Sequence, residues 1–132
     1  MKSYVTLDLL SRVLGSIEAH ENGRIAVMSI TRRMLEESGA SIEDSEGFID
    51  YAAAIDDVEL AALLREIRPR ETRVSLRSRA GFDVASLAAR FGGGGHSKAA
   101  GLTIEADMEE ARGLIVEGLG RLLAAGEEKH HG

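Results

Sequence analysis

The run of four glycines at Gly92–Gly95 constrains this chain more than any other feature. Glycine loses more backbone freedom on folding than any other residue, so a run of it inside a compact domain must answer a geometric need. Such a run lets backbone N–H groups converge on an oxyanion with no Cβ in the way. His96, Ser97 and Lys98 follow directly, so amides, an imidazole, a hydroxyl and an ammonium lie within one short stretch. The Walker spacing G-x-x-x-x-G-K-[ST] is not met. Two readings stand side by side at this point: a phosphate site, or a helix-to-strand connector with an exposed His96.

The charge pattern bears on that choice. The chain has 132 residues and a net charge of −6, which excludes a uniformly basic nucleic-acid binder. Between Arg65 and Gly101, however, eight basic residues stand against three acids, a local balance of +5, and the remainder carries −11. Segregation of this kind suggests one surface that meets an anion while the rest keeps the domain in solution. The length fits one domain. Cysteine is absent, which removes disulfides, thiolate metal sites and Cys nucleophiles. No apolar run approaches the roughly 18 residues of a membrane span, and no signal-peptide core follows Met1. The expected setting is cytoplasmic, with no membrane partner. Tryptophan is absent and only five residues are aromatic, which disfavours a broad base-stacking platform.

Periodicity gives the elements. Leu7, Leu10, Val13, Leu14 and Ile17 predict an amphipathic helix over 6–20, ended by Asn22-Gly23. Arg24–Ile30 reads as a strand buried on both faces. Thr31 caps a helix running to Ser38, with Gly39 as its stop. Residues 47–55 are expected to form a strand and Asp56-Asp57 a turn. In residues 58–67 Ala and Leu favour helix, whereas the short length and the place after a turn favour the second strand of a hairpin, and Pro69 ends the element either way. Arg73–Arg79 alternates, placing Arg73, Ser75, Arg77 and Arg79 on one face. Ala80-Gly81 turns the chain, and Asp83 caps a helix with Val84, Leu87, Ala88 and Phe91 on one side. Residues 99–105 read as a strand. Asp107 and Glu110 open a last helix with the stripe Met108, Ala111, Ile115, Leu119, Leu122 and Leu123, stopped at Gly126. The expected fold is α+β, a mixed sheet of about five strands covered by about four helices.

Single residues carry competing readings. Arg65, Arg68 and Arg70 flank Pro69 and read as solvation of a turn. Arg73 reads as a strand-end charge. Asp50, Asp56 and Asp57 read as turn residues rather than metal ligands. Met28, Met34 and Met108 read as core filler. Tyr51 and Phe82 are possible stacking partners for a base.

The segment Gly92–Gly101, GGGGHSKAAG, closely resembles the signature of the DHH-associated domain, the C-terminal lobe of many Asp-His-His phosphoesterases. Val74–Arg79, the Phe82-Asp83-Val84 helix entry, Glu46–Ile49 and Val58–Glu66 match it as well. The likeness spans about residues 6–124 and is nearest to the branch that degrades very short RNA and dephosphorylates 3′-phosphoadenosine 5′-phosphate. It implies residues 1–22 as a post-linker helix packed on the domain, 23–126 as the substrate-binding or nucleic-acid-binding domain, and 127–132 as a disordered tail.

In that family an N-terminal Asp-His-His domain binds two divalent metals, typically Mn²⁺. No Asp-His-His triplet occurs here, and His20, His96, His130 and His131 form no cluster with the acids. The resemblance thus implies a lobe of a larger protein with no cofactor or catalytic residue of its own, whose partners are the N-terminal catalytic domain and short RNA or DNA oligonucleotides or phosphonucleotides. It points to Arg77 as a phosphate clamp, to Gly93, Gly94 and Gly95 as backbone contacts, and to His96 as a contact to phosphate or ribose, with Arg79 and Lys98 as further candidates. Arginine suits the task because its planar fork donates two parallel hydrogen bonds. The alternatives are a binding module of a single-strand exonuclease, a phosphoesterase acting on polyphosphate-type substrates, and a homodimerisation element.

Overall fold

Local chemistry at the N-terminal end sets the first element. The Ser3 hydroxyl accepts from the Thr6 amide and caps helix α1, Tyr4–Leu14, whose Leu9, Leu10 and Val13 are buried. The helix stops sooner than its apolar spacing predicts. The Ser16 hydroxyl donates to the Val13 carbonyl at 2.6 Å and accepts from the Ser29 amide at 3.0 Å, tying the helix end to the sheet. Residues 18–20, expected as the end of that helix, instead form a short strand, β1 (Glu18–His20). Glu21, Asn22 and Gly23 follow, all with positive φ, and turn the chain back into β2 (Ile25–Ile30), which is buried along its whole length.

This computed structural model describes residues 3–79 and 81–131, with residues 127–131 as helical backbone only. Ala80 of the expected turn and Gly132 of the expected tail lie outside the described residues, as do the side chains of 127–131. Thr31 caps α2 (Arg32–Ser38) and Gly39 ends it in the left-handed conformation, as predicted. A 3₁₀ turn over Ile42–Ser45 follows.

The strand expected over 47–55 is a correction: Ile49–Ala53 is helical and forms α3. Three successive alanines favour helix, and Phe48, Ile49 and Ala52 bury one side of it. The hairpin therefore lies later, between β3 (Leu60–Arg68) and β4 (Glu71–Ser78), around Pro69. Asp83 caps α4 (Val84–Ala89). Two strands follow, β5 (Gly94–His96) and β6 (Ala99–Ile104), and then α5 (Met108–His131). Gly126 does not stop α5. It lets the helix pass the buried Phe82 ring, which a Cβ at that position would overlap.

The six strands run in the order β1-β2-β3-β4-β6-β5. Only β2 and β3 are parallel; every other neighbour is antiparallel. The fold is thus α+β with a mixed sheet of six strands and five α-helices among the described residues. One face of the sheet is covered by α4 and α5, packed on Leu60, Leu64, Val74, Leu76 and Leu102. The other face carries α1, α2 and α3 over Ala26, Met28, Ile30, Ala61 and Leu63 of β2 and β3. On that second side α3 also reaches β4, where Asp50 comes to 3.8 Å from Arg77, while β6 and β5 have no helix packed over them among the described residues. Met28 and Met108 are core residues, and Met34 packs against the core. Among the described residues no helix is long and apolar enough to cross a membrane.

Candidate phosphate-binding face

The uncovered half of the sheet takes its character from three strands in register. Residues directly opposite each other in an antiparallel pair share a face. Arg77 is opposite Ala99, and Ala99 is opposite His96. Ser75 is opposite Gly101, and Gly101 is opposite Gly94. Arg73 is opposite Thr103. The result is a trough floored by Ala99, Gly101 and Gly94, with Arg77 on one bank and His96 on the other. With neighbouring strands about 4.7–4.9 Å apart, the banks are about 10 Å apart at the backbone. Gly94 and His96 are exposed, and Arg77 and Gly101 are half-buried.

The glycine run divides its work. Gly92 has φ +81°, and its amide donates to the Ala89 carbonyl while that of Gly93 donates to Ala88 at 2.9 Å. These two bonds are a Schellman stop for α4. Gly93 and Gly95 lie where a Cβ would overlap the β6 backbone, at Gly101 and at Ala99-Ala100. Gly94 has open space where a Cβ would be. The run is therefore an edge strand laid tightly on β6, not a loop of converging amides. The Gly93 amide is already bonded, so Gly93 shapes the site through its missing side chain.

Arg77 holds one donor on the Leu76 carbonyl at 3.0 Å and lies 3.8 Å from the exposed Asp50 carboxylate of α3. Asp50 thus sits on a helix beside the site rather than in a turn, while Asp56 and Asp57 do form the turn after α3. Arg79 points away from the trough, with Nη2 at 3.4 Å from the Ala53 and Ile55 carbonyls at the C-terminal end of α3. Ser97 and Lys98 form the two-residue turn between β5 and β6, and Lys98 is exposed. The Ser78 amide and hydroxyl bond the Lys98 and Ser97 carbonyls, fixing that turn against the end of β4. Phe82 is buried against α5, and Tyr51 is exposed on α3.

Arg65 is the residue that sequence reasoning places elsewhere. It belongs to β3, half-buried, and lies opposite Arg73 rather than in the Pro69 turn. Its Nη1 donates to Ser75 Oγ at 2.8 Å and its Nε to Ser45 Oγ at 3.2 Å. Burial, and then the nearby Arg73 and Arg77, hold its pKa below the ordinary arginine value. β3 alternates like β4, so Ala61, Leu63 and Arg65 form one face, and the sequence carries this signal. Arg68 and Arg70, by contrast, are exposed around Pro69 as predicted.

The family defined as the DHHA1 domain matches residues 11–124. The chain is 32% identical over 110 residues to the bifunctional oligoribonuclease and PAP phosphatase NrnA of Thermus thermophilus, covering 83% of this chain and 32% of that protein. It is similar to the crystal structure of an exopolyphosphatase-related protein from Bacteroides fragilis, with a TM-score of 0.87 and 30% identity over 96% of this chain and 37% of that one. It shares its fold with the pGpG-specific phosphodiesterase PggH of Vibrio cholerae at a TM-score of 0.61 and 15% identity, covering 86% of this chain and 37% of that one. The chain thus spans about a third of the length of these relatives.

Proposed function

The chain belongs to the DHHA1 domain family, and on that premise we propose that it is the substrate-binding lobe of a metal-dependent phosphoesterase acting on short oligoribonucleotides or phosphonucleotides. The observation that supports this reading is the uncovered trough itself. Arg77 and His96 face each other across a floor with almost no side chains, an opening in which a phosphate can approach backbone and guanidinium together. Arg77 offers the fork that grips two phosphate oxygens. His96, exposed on the opposite bank, supplies a ring that can donate to phosphate or ribose.

Two divalent metals are implied for such a reaction, to activate water and stabilise the leaving oxygen. The residues here do not fit that role: among the described residues no three of His, Asp and Glu are grouped to hold a metal ion. No reaction step is assigned to this chain. The proposed partner is an N-terminal Asp-His-His domain that holds Mn²⁺, and the chain alone is expected to bind without turnover. The Thermus relative supports the oligonucleotide reading by its name. A second reading, polyphosphate-type substrates, draws support from the Bacteroides relative and from the scarcity of aromatic side chains.

Two or three charge-assisted hydrogen bonds at about 1.5–3 kcal/mol each, less the cost of association, correspond to an affinity of about 0.1–1 mM. NMR titration of the labelled chain with 5′-phosphorylated diadenylate and with 3′-phosphoadenosine 5′-phosphate, each against the unphosphorylated nucleoside, tests the reading. Shifts that need the phosphate and cluster at Arg77, Gly94, His96, Ala99 and Gly101 are expected. Equal shifts with the nucleoside, or shifts centred elsewhere, would contradict it.

A further inference from the structure

Arg65 has no place in a site that grips one phosphate at Arg77, yet its position is costly. Among the described residues it has no carboxylate within 4.0 Å, in a chain that carries 22 acids. Its hydrogen-bond partners among the described residues are two neutral serine hydroxyls, which engage two of its five guanidinium donors. Arg73 and Arg77 stand beside it and oppose its charge. An arginine stays charged at any pH at which a protein folds, so deprotonation gives no relief. A half-buried cation between two others is stabilised by a bound anion.

The geometry says where that anion lies. Arg73, Ser75 and Arg77 occupy alternate positions on one face of β4, each step about 6.6–6.8 Å long. The Arg65 guanidinium is bonded to Ser75 and so fills the middle position. From the Arg73 to the Arg77 backbone two such steps are spanned, with the Arg65 guanidinium held beside their midpoint by Ser75. Successive phosphates along an extended single strand are separated by a comparable distance. A cavity beside Arg65 and Arg73 is open to solvent, lined also by Ile42 and Ser45, with the exposed Glu43 and Glu46 on its rim. Neither glutamate is within 4.0 Å of Arg65 or Arg73, and Asp50 is 3.8 Å from Arg77, so the acids frame the row without neutralising its centre.

We infer that Arg65 is a second phosphate contact, set between Arg73 and Arg77, and that the ligand of this face carries at least two phosphates in series. The inference rests on the phosphate-binding reading above and deepens it. The step fits two sources, the successive phosphates of an oligonucleotide or the alternate phosphates of an inorganic polyphosphate, whose neighbouring phosphates share a bridging oxygen and lie much closer together.

The test is calorimetry on the 132-residue chain with adenosine 5′-monophosphate, 5′-phosphorylated diadenylate and inorganic tripolyphosphate. Arg65→Gln retains hydrogen-bond donors for Ser45 and Ser75 and removes a repelled charge, so its melting temperature is expected to match or exceed that of the parent. Its affinity for the diadenylate is expected to fall at least about tenfold, with the monophosphate changed less than about twofold. Arg65→Lys should recover part of the loss. Tripolyphosphate binding as tightly as the diadenylate would identify polyphosphate as the source; tripolyphosphate binding more weakly would identify the oligonucleotide. Equal effects of Arg65→Gln on mono- and diphosphorylated ligands, or none on either, would overturn the second contact alone. Failure of the parent chain to bind any of the three would overturn the phosphate reading with it.

Discussion

Gly93 and Gly94 are adjacent and have opposite surroundings. A Cβ on Gly93 would overlap the Gly101 carbonyl oxygen and come within 2.7 Å of Leu102 Cβ, whereas one on Gly94 would meet nothing within 4 Å. Gly93→Ala is therefore expected to destabilise the chain by about 1–3 kcal/mol, the usual range for overpacking. Gly94→Ala should stay within about 0.5 kcal/mol. Urea melts compare the two, and equal losses would mean that close approach to β6 is not what the run serves. In the sequence the four glycines are equivalent. Their difference lies in β6, which reaches them through space, so the position of the motif is legible in the sequence and the division of labour within it is not. Arg77 shows the converse: alternation along one strand suffices to place it on an arginine-bearing face. Sequence reasoning misplaces Arg65 because its neighbours Arg68 and Arg70 draw it toward the Pro69 turn, whereas alternation along β3 and pairing with Arg73 put it on the arginine-bearing face.

At the scale of elements, period-based reading succeeds where an element is long and fails where it is brief. The α5 stripe, the buried strand β2 and the arginine face of β4 follow from spacing. β1 and β5 have three residues each and no periodicity of their own; they exist because a neighbouring strand accepts them. In α3 the segment GFIDYAAAI fits a strand by apolar content, yet burial at Phe48, Ile49 and Ala52 follows helical spacing. The distinction bears on function, because as a helix this element carries Asp50 to within 3.8 Å of Arg77. An exposed pair of this kind contributes no more than about 1 kcal/mol. Asp50→Asn should free Arg77 and raise affinity for 5′-phosphorylated diadenylate, by up to about fivefold. Calorimetry would measure it, and an unchanged or lower affinity would show that Asp50 does not compete for the guanidinium.

For the whole molecule, the asymmetry of the sheet is what connects fold to function. One face is roofed by α4 and α5, and the other is roofed over β2 and β3 by helices that reach only as far as β4, leaving β6 and β5 bare among the described residues. The charge segregation in the sequence foreshadows this, since the basic segment runs from the end of β3 through β4 to β6. That the bare half would form one continuous trough depends on the register of three strands, which no single stretch of sequence states. The most direct measurement is the affinity of 5′-phosphorylated diadenylate for Arg77→Ala beside the parent chain, with both melting temperatures recorded. A loss of about tenfold or more at an unchanged melting temperature is expected, in line with the removal of a charge-assisted clamp. Undiminished affinity in a folded Arg77→Ala would contradict the assignment of this face as the phosphate site.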